Sequence, residues 1–201
     1  MPCLYIKTIL KMKEVSIEEE HFQEINYTEN YLPKGKYDNC IFLNCDFTKS
    51  NISNITFVEC KFENCDFSLI TSKNTAFRDV HYINCKLLGF NFNDCTESFL
   101  VFQFDNCQLN LASFFKLKIK ATIFKNCSLQ EADFSETDLT ESSFDDCDLS
   151  RAIFDNSILE KVDFRSAFNY SIDPDGNRIR GAKFSMSGVV GLLGKYKIEV
   201  E

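Results

Sequence analysis

KYDNCIFLNCDFTKSNISNITFVECKFENCDF, residues 36–67, places a large apolar side chain at every fifth position, beginning with Tyr37, Phe42 and Phe47. The residue two places earlier is small or medium-sized, often Cys, Ala, Ser, Thr or Val. Neither the 3.6-residue period of an α-helix nor the alternation of a strand gives a period of five. The sequence therefore predicts a chain that turns a corner once in every five residues, with both positions facing inward.

The same period continues on both sides of this segment. It runs from Phe22 to Phe92 with an interruption at Ser72, then shifts by two residues and resumes from Phe99 to Phe164. With four units per coil and two residues inserted near 96–98, the inward residues sort into columns of period 20. Three of these columns are Phe42, Phe62, Tyr82, Phe104, Phe124, Phe144, Phe164; Phe47, Phe67, Leu87, Leu109, Leu129, Leu149; and Phe92, Phe114, Phe134, Phe154. Like residues would stack at the strand spacing of about 4.8 Å, which predicts an all-β coil of about seven turns over residues 22–170.

The cysteines follow the same columns. Six of the ten, at 45, 65, 85, 107, 127 and 147, occupy one column, while Cys40 and Cys60 begin a second. Free cysteine packs as a small apolar side chain, so we expect reduced thiols that fill the interior. No CxxC pair is present and the two histidines, His21 and His81, lie outside any metal-ligand pattern. We expect no metal, no cofactor and no enzymatic activity.

The bulk properties limit the possible partners. The net charge is −8 and the isoelectric point about 4.9, which argues against direct binding of nucleic acid through a basic surface. No apolar run approaches the roughly 20 residues of a membrane span, and the first 13 residues lack the features of a signal peptide. These observations predict a cytoplasmic protein.

The two ends depart from the repeat. Residues 1–21 are expected to cap the first coil, and residues 171–201 to form a turn at DPDGN (173–177), a short α-helix and the strand KIEVE. An apolar stripe at Val189, Leu192, Leu193 and Tyr196 has helical spacing. Two interpretations stay open for this segment: a cap packed on the last coil of a monomer, or the interface of a homodimer.

The five-residue units CDFTK (45–49), CDFSL (65–69), ADFSE (132–136), TDLTE (137–141), CDLSR (147–151) and VDFRS (162–166) resemble the pentapeptide-repeat consensus A-(D/N)-L-x-x. The resemblance implies a right-handed quadrilateral β-helix. Residues 36–67 and the ending IRGAKFSMSGVVGLLGKYKIEV (179–200) are similar to the quinolone-resistance members of the family. These are described as homodimers that protect DNA gyrase and topoisomerase IV by mimicking duplex DNA.

The acidic residues are candidates for such a mimic surface. Residues 121–170 contain eleven acids and four cations, a balance of −7. The resemblance implies that a type II topoisomerase would contact this region, with Asp133, Asp138, Asp146, Asp148 and Asp163 as the predicted binding residues. Three alternatives remain at this stage: a solvated acidic surface, a rigid scaffold for another protein, and an immunity factor against a gyrase-directed toxin.

Overall fold

The computed structural model describes residues 15–96 and 100–199. The described chain is almost entirely made of short parallel strands stacked along one axis. The strands are β1 (Ser16–Glu18), β2 (His21–Gln23), β3 (Lys36–Asp38), β4 (Ile41–Leu43), β5 (Thr56–Val58), β6 (Lys61–Glu63), β7 (Ala76–Arg78), β8 (Val80–Ile83), β9 (Phe102–Asp105), β10 (Ile123–Lys125) and β11 (Ser143–Asp145). Short 3-10 helices span Phe92–Asp94, Gly188–Leu192 and Gly194–Tyr196. The predicted all-β coil is confirmed.

The coil has four sides, which we call faces 1 to 4 in chain order. Face 1 is a seven-stranded sheet ordered β2-β4-β6-β8-β9-β10-β11, and face 4 contains the sheet β1-β3-β5-β7. Isolated parallel bridges continue the stacking on faces 2 and 3, as between Asp46 and Asp66 and between Asn51 and Thr71. Residues that pair across neighbouring coils are 20 apart, as in Phe42 with Phe62, so each side takes five residues.

The two-residue insertion is also confirmed. Asn74 donates its backbone N–H to the carbonyl of Asp94, 20 residues later. Strands β8 and β9 instead pair Val80 with Phe102 and Tyr82 with Phe104, 22 residues apart. The two additional residues therefore lie between Asp94 and Phe102, and part of the predicted position, residues 97 and 98, lies outside the described residues.

The corners have a common backbone conformation. One residue in each five-residue unit has a positive φ, for example Asn39 (49°), Asn44 (53°) and Lys49 (56°). Of the 26 non-glycine residues with positive φ, ten are asparagine, the residue type that tolerates this conformation best after glycine. The left-handed residue turns the chain, and this explains why so few glycines and prolines suffice.

Stacked rings fill the interior. On face 1 nine rings form one unbroken ladder with centroids 4.6–5.3 Å apart: Phe22, Phe42, Phe62, Tyr82, Phe104, Phe124, Phe144, Phe164 and Phe184. Rings on adjacent faces meet edge to face, as Phe124 and Phe134 do at 5.9 Å. Since aromatic pairs favour offset stacks and edge-to-face contacts, both kinds of contact stabilise the rod.

The small inward residue also serves as a hydrogen-bond donor. The Thr75, Thr137 and Ser157 hydroxyls donate to carbonyls of the preceding coil at 2.7–2.8 Å. The Cys65 and Cys85 thiols make the equivalent, weaker contacts at 3.4 Å. The nine cysteines at 40, 45, 60, 65, 85, 95, 107, 127 and 147 are all buried and free, whereas Cys3 lies outside the described residues. The predicted interior packing of the thiols is confirmed within this part of the chain.

The coil extends beyond the predicted limits of 22 and 170. Strand β1 already pairs with β3, and Asp163 bridges Lys183 near the other end. Residues 173–177 form the predicted turn, in which Asp173 accepts a hydrogen bond from the Asp175 N–H at 2.9 Å. Residues 1–14, the greater part of the predicted N-terminal cap, lie outside the described residues.

The predicted C-terminal α-helix is wrong. Residues 188–196 form two 3-10 helices, because glycines at 188, 191 and 194 each weaken an α-helix by about 1 kcal/mol relative to alanine. The predicted strand KIEVE is also absent from residues 197–199, and Val200 and Glu201 lie outside the described part of the chain.

Candidate partner-binding surface

Four of the five predicted acids have a structural role in the turns of the coil. Asp133, Asp138, Asp148 and Asp163 precede an inward residue, and each carboxylate accepts the backbone N–H two residues later at 2.9–3.1 Å. A short polar side chain that bonds its own backbone two residues ahead stabilises a turn. The Asp/Asn position of the repeat is therefore explained by folding, whether or not a partner contacts it.

Two of the predicted acids are neutralised by cations. Asp138 is buried and its carboxylate lies 3.1 Å from the Lys120 ammonium. Asp163 bonds the Arg165 guanidinium at 2.7 Å and lies 3.9 Å from Lys183. The hydrogen bonds from Arg165 lower the pKa of Asp163 below its ordinary value. These two residues therefore contribute little negative potential at the surface.

The other three predicted acids keep an uncompensated charge. Asp133, Asp146 and Asp148 form no ion pair within residues 15–96 and 100–199. Partial burial opposes ionisation of Asp148, but hydrogen bonds from Ser150, Asn169 and Gln130 outweigh it and lower the pKa of Asp148 to about 2. Asp148 is therefore negatively charged at neutral pH.

Two further acids belong to this surface. Asp145 and Asp155 also make no ion pair with any described residue, and Asp155 is exposed. We call Asp133, Asp145, Asp146, Asp148 and Asp155 the acidic belt. Asp145 and Asp146 end a unit of face 1, Asp148 begins the adjoining unit of face 2, and Asp133 and Asp155 lie on face 3. The belt thus extends over three faces of two neighbouring coils.

The other glutamates of this half join neighbouring coils. Arg151 pairs with Glu131, and Lys161 lies 2.6 Å from Glu141. Lys116 lies 3.5 Å from Glu136. In each pair the partners are 20 residues apart, so they occupy equivalent corners of adjacent coils. Because these exposed pairs are screened by water, each stabilises the rod by about 1 kcal/mol or less.

The predicted dimer residues lie at the C-terminal end of the rod. Val189 is 40% exposed and Tyr196 53%, while Leu193 is half-buried and Leu192 packs against the core. Additional apolar side chains, Met186, Val190 and Ile198, are exposed beside them. Leu192 therefore acts at least partly in attaching this segment to its own coil.

The segment is tied to Tyr170 by close backbone contact. Ile172 donates its N–H to the carbonyl of Gly191 at 3.0 Å. A Cβ atom at Gly188 would lie 2.2 Å from the Tyr170 hydroxyl, and one at Gly191 would lie 2.4 Å from the Tyr170 carbonyl oxygen. Both glycines are thus needed for the segment to cover the last coil, and its outer side remains apolar and exposed.

The described residues offer little for metal chemistry or membrane insertion. Residues 15–96 and 100–199 contain no cluster of three or more potential metal ligands. Within the same ranges no helix combines the length and hydrophobicity that a bilayer crossing requires.

Comparisons with known proteins agree with this architecture. The family description "Pentapeptide repeats (8 copies)" matches residues 36–68, and "Pentapeptide repeat region" matches residues 97–172. Comparison with curated proteins finds no match. Among solved structures, a trypsin-treated variant of QnrB1, a plasmid-mediated fluoroquinolone resistance protein, aligns with a TM-score of 0.58 at 17% identity, covering 94% of this chain and 98% of that one.

A second solved structure shares less of the geometry. HetL, a protein involved in heterocyst differentiation regulation from the cyanobacterium Nostoc sp. strain PCC 7120, aligns with a TM-score of 0.34 at 16% identity, covering 85% of this chain and 87% of HetL. The QnrB1 likeness bears on the fold alone, whereas the family descriptions match the repeat itself. With its five-residue period, its four-sided coil and these matches, the chain belongs to the pentapeptide-repeat family.

Proposed function

We propose that this protein acts without catalysis, as a DNA-mimicking rod whose acidic belt binds the DNA-binding surface of a type II topoisomerase, DNA gyrase or topoisomerase IV, and so reduces the action of quinolones. The observation that supports the proposal is the set of five carboxylates left without cations on a rigid rod. A basic DNA-binding surface attracts a concentrated negative field, and complementary charge chiefly raises the association rate and selects the partner.

The choice of topoisomerase rests on the resemblance of residues 36–67 and 179–200 to the quinolone-resistance proteins. The acidic belt supplies the charge that such a role requires, since it replaces the predicted residues Asp138 and Asp163 with Asp145 and Asp155. Long projecting loops are absent from the described residues, in which the repeat is interrupted by a two-residue insertion between Asp94 and Phe102. The proposed contact therefore uses the sides of the rod.

The proposal includes a homodimer formed at the C-terminal end. The exposed side chains of Met186, Val189, Val190, Tyr196 and Ile198 provide an apolar surface that a second copy would cover. A two-fold axis at this end would bring two acidic belts towards the middle of one longer rod. Val189→Ser with Tyr196→Ser should shift sedimenting species from dimer to monomer; a wild-type protein that sediments only as a monomer would refute this part.

The test of the belt is a supercoiling assay with purified gyrase and ciprofloxacin. The five belt aspartates are changed to asparagine, which is compatible with these turn positions because Asn51 and Asn91 occupy the position equivalent to Asp133. We expect the wild-type protein to alter supercoiling or its inhibition, and the variant to lose that effect.

The matched control changes the same number of charges at the other end of the rod. Glu18, Glu19, Glu20, Glu24 and Glu29 are exposed, and their replacement by glutamine should leave the effect on gyrase intact. Equal loss in both variants would show that net charge is sufficient and that the belt is not a specific site. No effect of the wild-type protein on gyrase would refute the topoisomerase assignment.

A further inference from the structure

A second surface of the rod, on the corner between faces 2 and 3, has a different chemical character. The corner residues of five successive coils are Lys49, Leu69, Gly89, Leu111 and Glu131. Each has a positive φ and so turns the chain in the same way. In the middle coils this column is apolar, whereas the other corners carry asparagine or charged residues at most levels.

Gly89 is not required by the fold. Its φ of 63° is matched by leucine at the two neighbouring corners, 59° at Leu69 and 61° at Leu111. A Cβ atom at Gly89 would meet nothing within 4 Å, so packing leaves room for a side chain. What the glycine does provide is an open position on the outside of the corner.

Leucines border that open position. Leu69 is 71% exposed, Leu111 61%, and Leu88, which directly precedes the glycine, 38%. Leu69 and Leu111 lie one coil on either side of Gly89, so their Cα atoms are about 10 Å apart at the usual strand spacing. We call Leu69, Leu88, Gly89 and Leu111 the leucine notch. Its width suits one large apolar side chain inserted between the two leucines.

The surroundings of the notch are basic. Lys49, Lys73, Lys86 and Lys116 lie on the same coils or the adjacent one, against the aspartates Asp66 and Asp94. Lys49 and Lys73 form no ion pair with any described residue, and Lys86 lies 3.7 Å from Asp66. This local excess of positive charge is opposite in sign to the acidic belt.

We infer that the leucine notch is a docking site for a protein segment that presents a bulky apolar side chain flanked by carboxylates. The apolar side chain would cover the three leucines and contact the Gly89 backbone, while the carboxylates would pair with Lys49 and Lys73. A fully covered apolar anchor surrounded by polar contacts is the usual source of binding energy in an interface. This inference is independent of the topoisomerase proposal, because it uses different residues on a different part of the rod.

The test uses a phage-displayed library of random 12-residue peptides, selected on the immobilised full chain. We expect enrichment of sequences that place Leu, Phe or Trp beside Asp or Glu. A labelled peptide from this selection should bind Gly89→Asn about tenfold or more weakly than wild type, because the new side chain fills the notch. Leu69→Asn with Leu111→Asn should weaken binding similarly, and asparagine is compatible with the positive φ at all three positions.

The matched control is Ile153→Asn, which removes an exposed side chain (50% exposed) from face 3, where Asn51 and Asn91 occupy equivalent positions. It should bind the peptide as wild type does. Enrichment of basic peptides, the absence of any enriched class, or equal binding by Gly89→Asn would overturn the inference. Self-association of the wild type that Gly89→Asn abolishes would also overturn it, because the occupant would then be a second copy of this chain.

Discussion

Replacing one central ring of the face 1 ladder should strongly destabilise the rod. Phe124 is fully buried and stacks on Phe104 at 5.2 Å and on Phe144 at 4.8 Å. It also meets Phe114 and Phe134 edge to face at 5.9 Å. Since Phe→Ala in a packed core costs about 3–5 kcal/mol and the neighbours are held in place by their own coils, we expect Phe124→Ala to lower the free energy of unfolding by about 4 kcal/mol.

Two further variants separate ring contacts from burial. Phe124→Leu keeps most of the apolar volume but loses four aromatic contacts; we expect a cost of about 2 kcal/mol, from about 0.5–1.5 kcal/mol per aromatic pair partly offset by repacking. Phe22 is half-buried and ends the ladder, with one stacked neighbour, Phe42. Phe22→Ala should therefore cost only about 1–2 kcal/mol.

The assay is equilibrium urea unfolding followed by far-UV circular dichroism. The midpoint should fall in the order wild type, Phe22→Ala, Phe124→Ala, with unchanged m-values if each variant unfolds in one cooperative transition. Equal effects of the central and terminal substitutions would refute the idea that neighbouring coils stabilise one another. A cost below about 1 kcal/mol for Phe124→Ala would show that the interior collapses around the missing ring.

Further predictions concern turns, thiols and the C-terminal cap. Because its pKa is lowered to about 2 in the folded state, Asp148 stabilises the fold above the ordinary value of 3.8, so Asp148→Asn should cost about 1–2 kcal/mol at pH 7 after allowance for solvent screening and the difference should vanish as the pH falls to about 2. Burial raises the pKa of the Cys60 thiol to about 12, so iodoacetamide followed by peptide mass spectrometry should find it unmodified until the protein unfolds. Ala121 has a φ of 53°; Ala121→Asn should stabilise by about 0.5–1 kcal/mol and Ala121→Val should destabilise by about 1 kcal/mol, measured by thermal unfolding. Gly191→Ala should displace the C-terminal segment from Tyr170 and speed hydrogen exchange in residues 185–197, whereas unchanged exchange would contradict the close contact.

The coil was predictable from the sequence because its period is imposed by packing. Phe104 had to stack on Tyr82, and this alone placed the two-residue insertion. The positive φ at the corners could not be derived from apolar periodicity, although the asparagines at 44, 64 and 84 were a signal for it. The C-terminal α-helix was wrong because the apolar spacing outweighed the three glycines, which allow the backbone to approach Tyr170.

The hydrogen-bonding role of the small inward position was also missed. Threonine, serine and cysteine at positions such as 75, 157 and 65 appeared only to need little space. Each of these side chains lies next to a carbonyl of the preceding coil, and that carbonyl belongs to a residue 23 positions earlier. A sequence pattern of period five contains no information on such an acceptor until the coil length is known.

The acidic belt shows how surface charge should be predicted in a stacked coil. The charge that remains on an acid depends on the residues one coil away, about 20 positions before and after it. Asp133 lies between Ser113 and Ile153, and Asp148 between Ser128 and Phe168; neither column supplies a cation. By contrast, Glu131 precedes Arg151 by 20 residues and is neutralised by it.

The same rule separates Asp146 from the paired acids. The positions 20 residues before and after Asp146 are Asn126 and Ser166, so its charge stays uncompensated. Asp145 is an exception, because its column contains Lys125 and Arg165, yet these reach Asp105 at 3.6 Å and Asp163 at 2.7 Å instead. Columns therefore identify most of the belt from sequence, while competition between neighbouring acids for one cation requires the structure. If the belt is the contact surface, the consequence is specific: Asn126→Lys, which places a cation one coil from Asp146, should weaken the effect on gyrase although it changes none of the acids.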